Sequence, residues 1–174
     1  DRNYPNFTRL IDEIGAPSIK SDMSFSVADE RGEFEYAGSS PNAMFATRRH
    51  LADRRFHRMI ADLLRFNGAA KRLAATTPAD ADHDISLRDF LTRERYGEYF
   101  VERLIVPQVS AVWSADPAQL WEFPARIVFQ FFDNHGILEL RGRPQWRTIA
   151  GGSREYVRRL SAPFADRIER GVAV

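Results

Sequence analysis

Apolar residues change their spacing several times along this chain, and each change marks an element. Phe7, Leu10, Ile11 and Ile14 recur at helical intervals before Gly15, the pattern of a single buried helix face. Asn3 stands where a cap would fall and Pro5 suits a first turn, so the spacing predicts a short amphipathic helix over residues 3–14. From Met23 the period drops to two. Met23, Phe25 and Val27 alternate with serine and alanine, a turn follows at Asp29 to Gly32, and Phe34 and Tyr36 then alternate with glutamate. That is the pattern of a β-hairpin.

Helical periodicity then takes over. Ser40 and Pro41 restart helix, and a long helix is expected from about Arg49 to Ala75, with Ala52, Phe56, Met59, Ile60 and Leu63 as its buried stripe. Residues 76–85 read as a polar loop. Ser86 with Asp89 forms a capping-box pair at the start of the next helix, and the apolar run that follows is expected to be helical but broken or kinked at Pro107. Asp116 and Pro117 suit an N-cap and a first turn, and Pro124 opens a helix that Gly136 ends. A strand is expected over Gln145 to Ile149, then the pair Gly151–Gly152, then one or two helices to Arg170 before GVAV, which reads as the start of a strand. The fold class is therefore α+β and mostly helical, with a β-hairpin or small sheet, and residues 1–174 form one domain.

Composition narrows the chemistry more than the fold. With 44 % hydrophobic and 28 % charged residues, the chain has the make-up of a globular domain. It contains no cysteine, which removes disulfides, thiolate metal sites and cysteine nucleophiles. No run approaches the roughly 18 apolar residues of a membrane-spanning helix, so a cytoplasmic setting is expected. A formal charge of +1 argues against a dedicated nucleic-acid binder. The first residue is Asp1 and the last segment breaks off in strand-like sequence, which suggests a fragment of a longer chain.

Four places carry candidate chemistry. Gly151, Gly152 and Ser153 join a strand to a helix, a geometry in which backbone N–H groups and the helix dipole can face a ligand; the alternative is an ordinary tight turn with Ser153 as N-cap. Neither GxxxxGK[ST] nor GxGxxG occurs. His135 follows Asn134 at the end of an aromatic-rich helix, where it serves either as a cap for the last carbonyls or as a site residue. The other histidines, His50, His57 and His83, lack metal-ligand spacing, and no metal site is expected. Between residues 48 and 72, eight basic residues face only Asp53 and Asp62, a formal +6, and Arg54, Arg58, Arg65 and Arg72 share one helix face. Such a face is either solvated or salt-bridged, or a docking surface for anionic lipid head groups or nucleic acid. Finally, the second half is dense in aromatic residues, Trp113 and Trp146 among them, enough to line an apolar cavity as well as a core.

Taken together, the stretches NYPNFTRLIDEIG, SDMSFSVA, VSAVWS, FFDNHGIL and RPQWRTIAGGSREYVRRL resemble, in this order, the central part of bacterial FAD-dependent oxidoreductases of the flavin-containing amine oxidase superfamily. The resemblance implies an inserted substrate-binding domain of a two-domain flavoprotein, its FAD-binding segments absent from this sequence. It implies hydride transfer from an amine or a lipid-like, fatty-acyl substrate to FAD, which the cofactor itself carries out. By the same resemblance, Gly151, Gly152, Ser153 and Tyr4 lie near the cofactor, and His135, Trp146, Arg147 and Trp113 near the substrate. The partners implied are the flavin domain of the same polypeptide and, through the basic face, the periphery of an anionic membrane. The competing expectation is a stand-alone helical module that binds anionic partners through Arg48 to Arg72.

Overall fold

A computed structural model describes residues 3–22, 24–80, 83–113, 117–140 and 142–172. Along the chain run helix α1 (Pro5–Glu13), strands β1 (Ser18–Lys20), β2 (Ser26–Ala28) and β3 (Glu35–Ala37), and helices α2 (Pro41–Met44), α3 (Arg54–Ala74), α4 (Leu87–Arg93) and α5 (Glu98–Phe100). Helices α6 (Val106–Trp113), α7 (Pro117–Leu120) and α8 (Ala125–Asn134), strand β4 (Arg147–Ile149) and helix α9 (Ser153–Ser161) complete it. Among the described residues the strands make two antiparallel pairs, β1 with β4 and β2 with β3. The fold is thus mostly helical α+β, as the patterning predicts. Met23, Asp116 and the last two residues of GVAV lie outside the described residues.

Contacts gather the chain into two compact units, one from Asp1–Met23 with Pro144–Val174 and the other from Ser24–Arg143. In the central unit α3 packs against α8 and α5. Its inward face carries Phe56, Met59, Phe66, Ala70 and Leu73, a stripe at helical spacing. Aromatic rings interlock there: Phe129 lies 5.1 Å from Phe66 and 4.8 Å from Phe90, edge to face, the arrangement that ring quadrupoles favour. The hairpin covers one end of this core. Val27 pairs with Tyr36, and the carboxylate of Asp29 accepts the N–H groups of Glu33 and Phe34 at 2.8 and 3.2 Å, which fixes the turn between the strands.

Local chemistry sets the boundaries, and here the structure corrects the sequence in several places. The long helix begins at Arg54 and not at Arg49, because Asp53 caps it by accepting the Arg55 N–H at 2.8 Å; residues 48–52 form a separate 3-10 turn, and Ala52 is exposed instead of buried. The N-cap of α1 is Tyr4, not Asn3, since Pro5 occupies the first helical position. Strand β1 was not expected at all: three residues are too few to show alternation. Ser86 does cap α4, accepting the Asp89 N–H at 3.0 Å and donating its hydroxyl to the Asp89 carboxylate at 2.8 Å.

Pro107 does not end its helix. It has no N–H to offer the carbonyl of Arg103 four residues earlier, and the backbone over Val101–Ile105 widens into a π-turn. The hydroxyl of Tyr36, from the hairpin, donates to that Arg103 carbonyl at 3.0 Å. A strand residue therefore satisfies the acceptor that proline leaves bare. Asp62 does a similar service for the turn before α5: it is buried, pairs with Arg65 at 3.0 Å and accepts the Gly97 N–H at 3.3 Å.

The terminal unit is built differently. Strand β1 meets β4 with Ile19 opposite Thr148, and the pair is extended by Ser21 N–H to the Trp146 carbonyl and Ala150 N–H to the Pro17 carbonyl, both 2.8 Å. Phe7 of α1 meets Tyr156 of α9 edge to face at 5.5 Å. Arg159 donates to the Gly15 carbonyl at 2.6 Å, tying α9 to the end of α1. No residue of α9 is buried.

Candidate functional site

The glycine turn sits between β4 and α9 in the terminal unit. Gly151 has φ +82° and Gly152 φ +76° with ψ −173°, a region that side chains of L-residues scarcely enter. Glycine is needed here for its dihedrals. Crowding is not the reason, since a Cβ at Gly152 would meet nothing within 4 Å and one at Gly151 only the Glu155 side chain at 3.6 Å. The N-cap of α9 is Gly152, so Ser153 is the first helical residue and not the cap. No side chain caps this helix. Glu155, in its first turn, gives its carboxylate to Arg158 and Arg159 instead, and those bonds draw its pKa down to about 2.

The other terminal-unit candidates have defined structural roles. Arg147 spends its guanidinium on Ser18, with Nε to the hydroxyl at 2.9 Å and Nη2 to the carbonyl at 2.8 Å, clasping the two strands. Trp146 is half-buried and its carbonyl receives Ser21. The Tyr4 carbonyl accepts both the N–H and the hydroxyl of Thr8 at 2.9 and 3.0 Å, while its ring is exposed.

In the central unit the structure brings His135 and Trp113 to one place. The imidazole of His135 stacks on Phe131 with centroids 3.8 Å apart, and Phe131 lies 5.0 Å from Trp113. Nδ1 of His135 donates to the Phe131 carbonyl at 2.7 Å; a carbonyl can only accept, so Nδ1 carries the proton. That bond satisfies one of the last carbonyls of α8. Sequence reading missed Phe131 as the link, and its spacing from His135, four residues along one helix face, is the signal that could have found it.

The basic face divides. Arg48 donates to Asn42 at 2.8 Å, Arg65 pairs with Asp62, and Lys71 pairs with Glu139 at 2.7 Å. Arg55 pairs with Asp53 at 3.5 Å, and Arg49 donates to the Glu33 carbonyl. Among the described residues Arg54, Arg58 and Arg72 make no ion pair with a carboxylate. No helix of the described residues is long and apolar enough to cross a membrane, and none of their His, Asp and Glu side chains group in threes as a metal site requires.

No protein-family model matches this chain, and no curated protein matches it either.

Proposed function

We propose that the chain is the substrate-binding part of a flavin-dependent oxidoreductase resembling the amine oxidases, acting within a longer polypeptide that supplies FAD. One observation carries this reading. The terminal unit joins two of the stretches that carry the resemblance, NYPNFTRLIDEIG and RPQWRTIAGGSREYVRRL, and leaves Val157, Leu160, Phe164 and Ile168 between 38 % and 51 % exposed. Exposed apolar side chains so close together in sequence ask for a covering surface, and a flavin-binding domain of the same polypeptide would provide one.

The glycine turn suits a cofactor contact because it is open. With no side chain on Gly152 and none capping α9, an anionic group of a dinucleotide could approach the first-turn N–H groups, where the helix dipole favours it. Bound FAD would supply the hydride acceptor. The chain's own contribution would be an apolar, water-poor wall for an amine or fatty-acyl substrate, and the Trp113–Phe131–His135 stack has that character.

The test is a spectrum. Full-length protein is expected to purify yellow, with a flavin band that bleaches when an oxidisable amine or fatty-acyl compound is added. Colourless full-length protein that takes up no added FAD would sink the proposal.

A further inference from the structure

A groove of about 530 Å³ opens in the central unit between the middle of α3 and the segment that follows α8. The reading above gives it no role. Asn67, Gly68 and Lys71 line it from the helix, and Leu138, Glu139 and Leu140 from the segment. The two charges in this lining meet each other, Lys71 to Glu139 at 2.7 Å, so they cancel and ask for no ion. The apolar members are only partly covered. Leu138 is buried, but Leu140 is 62 % exposed, and Leu64, one turn back on the same face of α3, is exposed as well.

Asn67 sets the groove apart. It is 8 % exposed, and its side-chain amide makes no hydrogen bond among the described residues. Asp62, buried on the same helix, is by contrast engaged by Arg65 and by the Gly97 N–H. A buried polar group without a partner costs stability, and a leucine would fill the same space without that cost. Gly68, beside it, is no better suited to a helix. Glycine in a helix interior costs about 0.5–1 kcal/mol relative to alanine, yet Gly68 has no left-handed dihedral. The nearest atom that a Cβ there would meet is Nη1 of Arg72 at 3.6 Å, the tip of a flexible side chain. Neither the backbone nor the packing requires this glycine. Together the two residues leave a bare stretch of helix and one unsatisfied amide open to the groove.

We propose that this groove binds a small neutral molecule that carries a carboxamide edge, N–H and C=O side by side, and an aliphatic remainder. The Asn67 amide has one acceptor oxygen and one NH₂ donor. It therefore donates to the ligand's carbonyl and accepts the ligand's N–H in two parallel hydrogen bonds, and turning the amide over leaves the pairing unchanged. The aliphatic part lies against Leu138, Leu140 and the bare helix at Gly68. A few polar groups in an otherwise apolar recess of about 300–1,000 Å³ are the usual make-up of a small-molecule site.

Hexanamide titrated into the 174-residue chain is expected to give saturable NMR shifts at the Asn67 side-chain amide and at the Leu138 and Leu140 methyl groups. Hexanoate, which has no donor, and hexylammonium, which has no acceptor, should bind more weakly by about tenfold or more. Asn67→Leu should lower the affinity for hexanamide by about tenfold or more, while urea unfolding stays unchanged or moves to higher urea because an unpartnered buried amide is gone. Gly68→Met, whose side chain would occupy the groove, should abolish binding; the space around Gly68 keeps this test meaningful even if Asn67→Leu disturbs folding. No saturable response, hexanoate or hexylammonium binding within about twofold of hexanamide, or a folded variant of either kind that binds as well as the original chain would overturn the proposal.

Discussion

The buried apolar side chains from Phe34 to Leu138 all belong to the central unit, whereas the terminal unit buries Ile11 and Ala16. The central unit is held by interlocked rings and aliphatic contacts. The terminal unit is held by polar ties: a three-residue strand pair, the Arg147 clasp on Ser18, and the Glu155–Arg159–Gly15 chain. These are unequal means. Burying a Leu- or Phe-sized side chain contributes about 1.5–3 kcal/mol, a single hydrogen bond a net of about 1 kcal/mol, and exposed ion pairs less than that. A short two-stranded sheet is marginal by itself. The difference teaches that the two halves of this sequence obey different rules: the middle folds by burial, and the ends are arranged by hydrogen bonds around a surface that remains uncovered.

The comparison can be broken in four ways. The largest effect is expected at Phe129, which is fully buried among Phe66 and Phe90: Phe129→Ala should cost about 3–5 kcal/mol in urea unfolding, while Phe7→Ala in the terminal unit, 41 % exposed, should cost about 1 kcal/mol or less. Equal losses would show that the terminal unit is better packed than its exposure implies. Next comes a pair of tyrosines. Tyr36→Phe should cost about 1–2 kcal/mol because it removes the donor to a half-buried carbonyl, whereas Tyr96→Phe should be neutral or stabilising, since the Tyr96 hydroxyl is buried with no partner among the described residues. Burial also pushes the Tyr96 hydroxyl up to about 12. Stability therefore does not depend on pH through this hydroxyl below about pH 10 and falls as pH rises from 10 towards 12; the Phe variant should lack that alkaline loss.

Gly152→Ala should destabilise the terminal unit by about 1–3 kcal/mol through backbone strain, seen as faster amide exchange in β4 and α9 with the α3 amides unchanged. Faster exchange in α3 as well would mean the units do not open independently. The smallest effect is at Glu155. Hydrogen bonds from Arg158 and Arg159 hold its carboxyl near 2 against an ordinary 4.5, so its contribution is present above about pH 4.5 and fades as pH falls toward 2. An NMR titration of the Glu155 carboxyl that runs at the ordinary value would remove this tie from the comparison.

What the sequence made legible follows the same division. Periodicity located the hairpin and the long helix, because each has a buried side that imposes a spacing, while Pro124 and Gly136 marked the ends of α8. The capping residues Ser40 and Ser86 were readable for the same local reason, a hydroxyl three residues ahead of the N–H it accepts. Strand β1 was not readable, because its partner β4 lies more than a hundred residues away and neither strand has a buried face to advertise. For the candidate site, the glycine pair announced its unusual dihedrals, yet Ser153 was misplaced by one because a glycine can cap a helix without a side chain. His50 was set aside for lacking metal partners, and only the fold shows it enclosed and stacked on Phe56.

The bond from Tyr36 to the Arg103 carbonyl ties the choice of residue at 36 to the proline at 107. As long as proline stands at 107, a hydroxyl is wanted at 36; were an alanine to restore the helix's own donor, phenylalanine would do as well there. Drift at either position is thus constrained by the other, and variants of this chain should accept the two replacements together more readily than the tyrosine replacement alone.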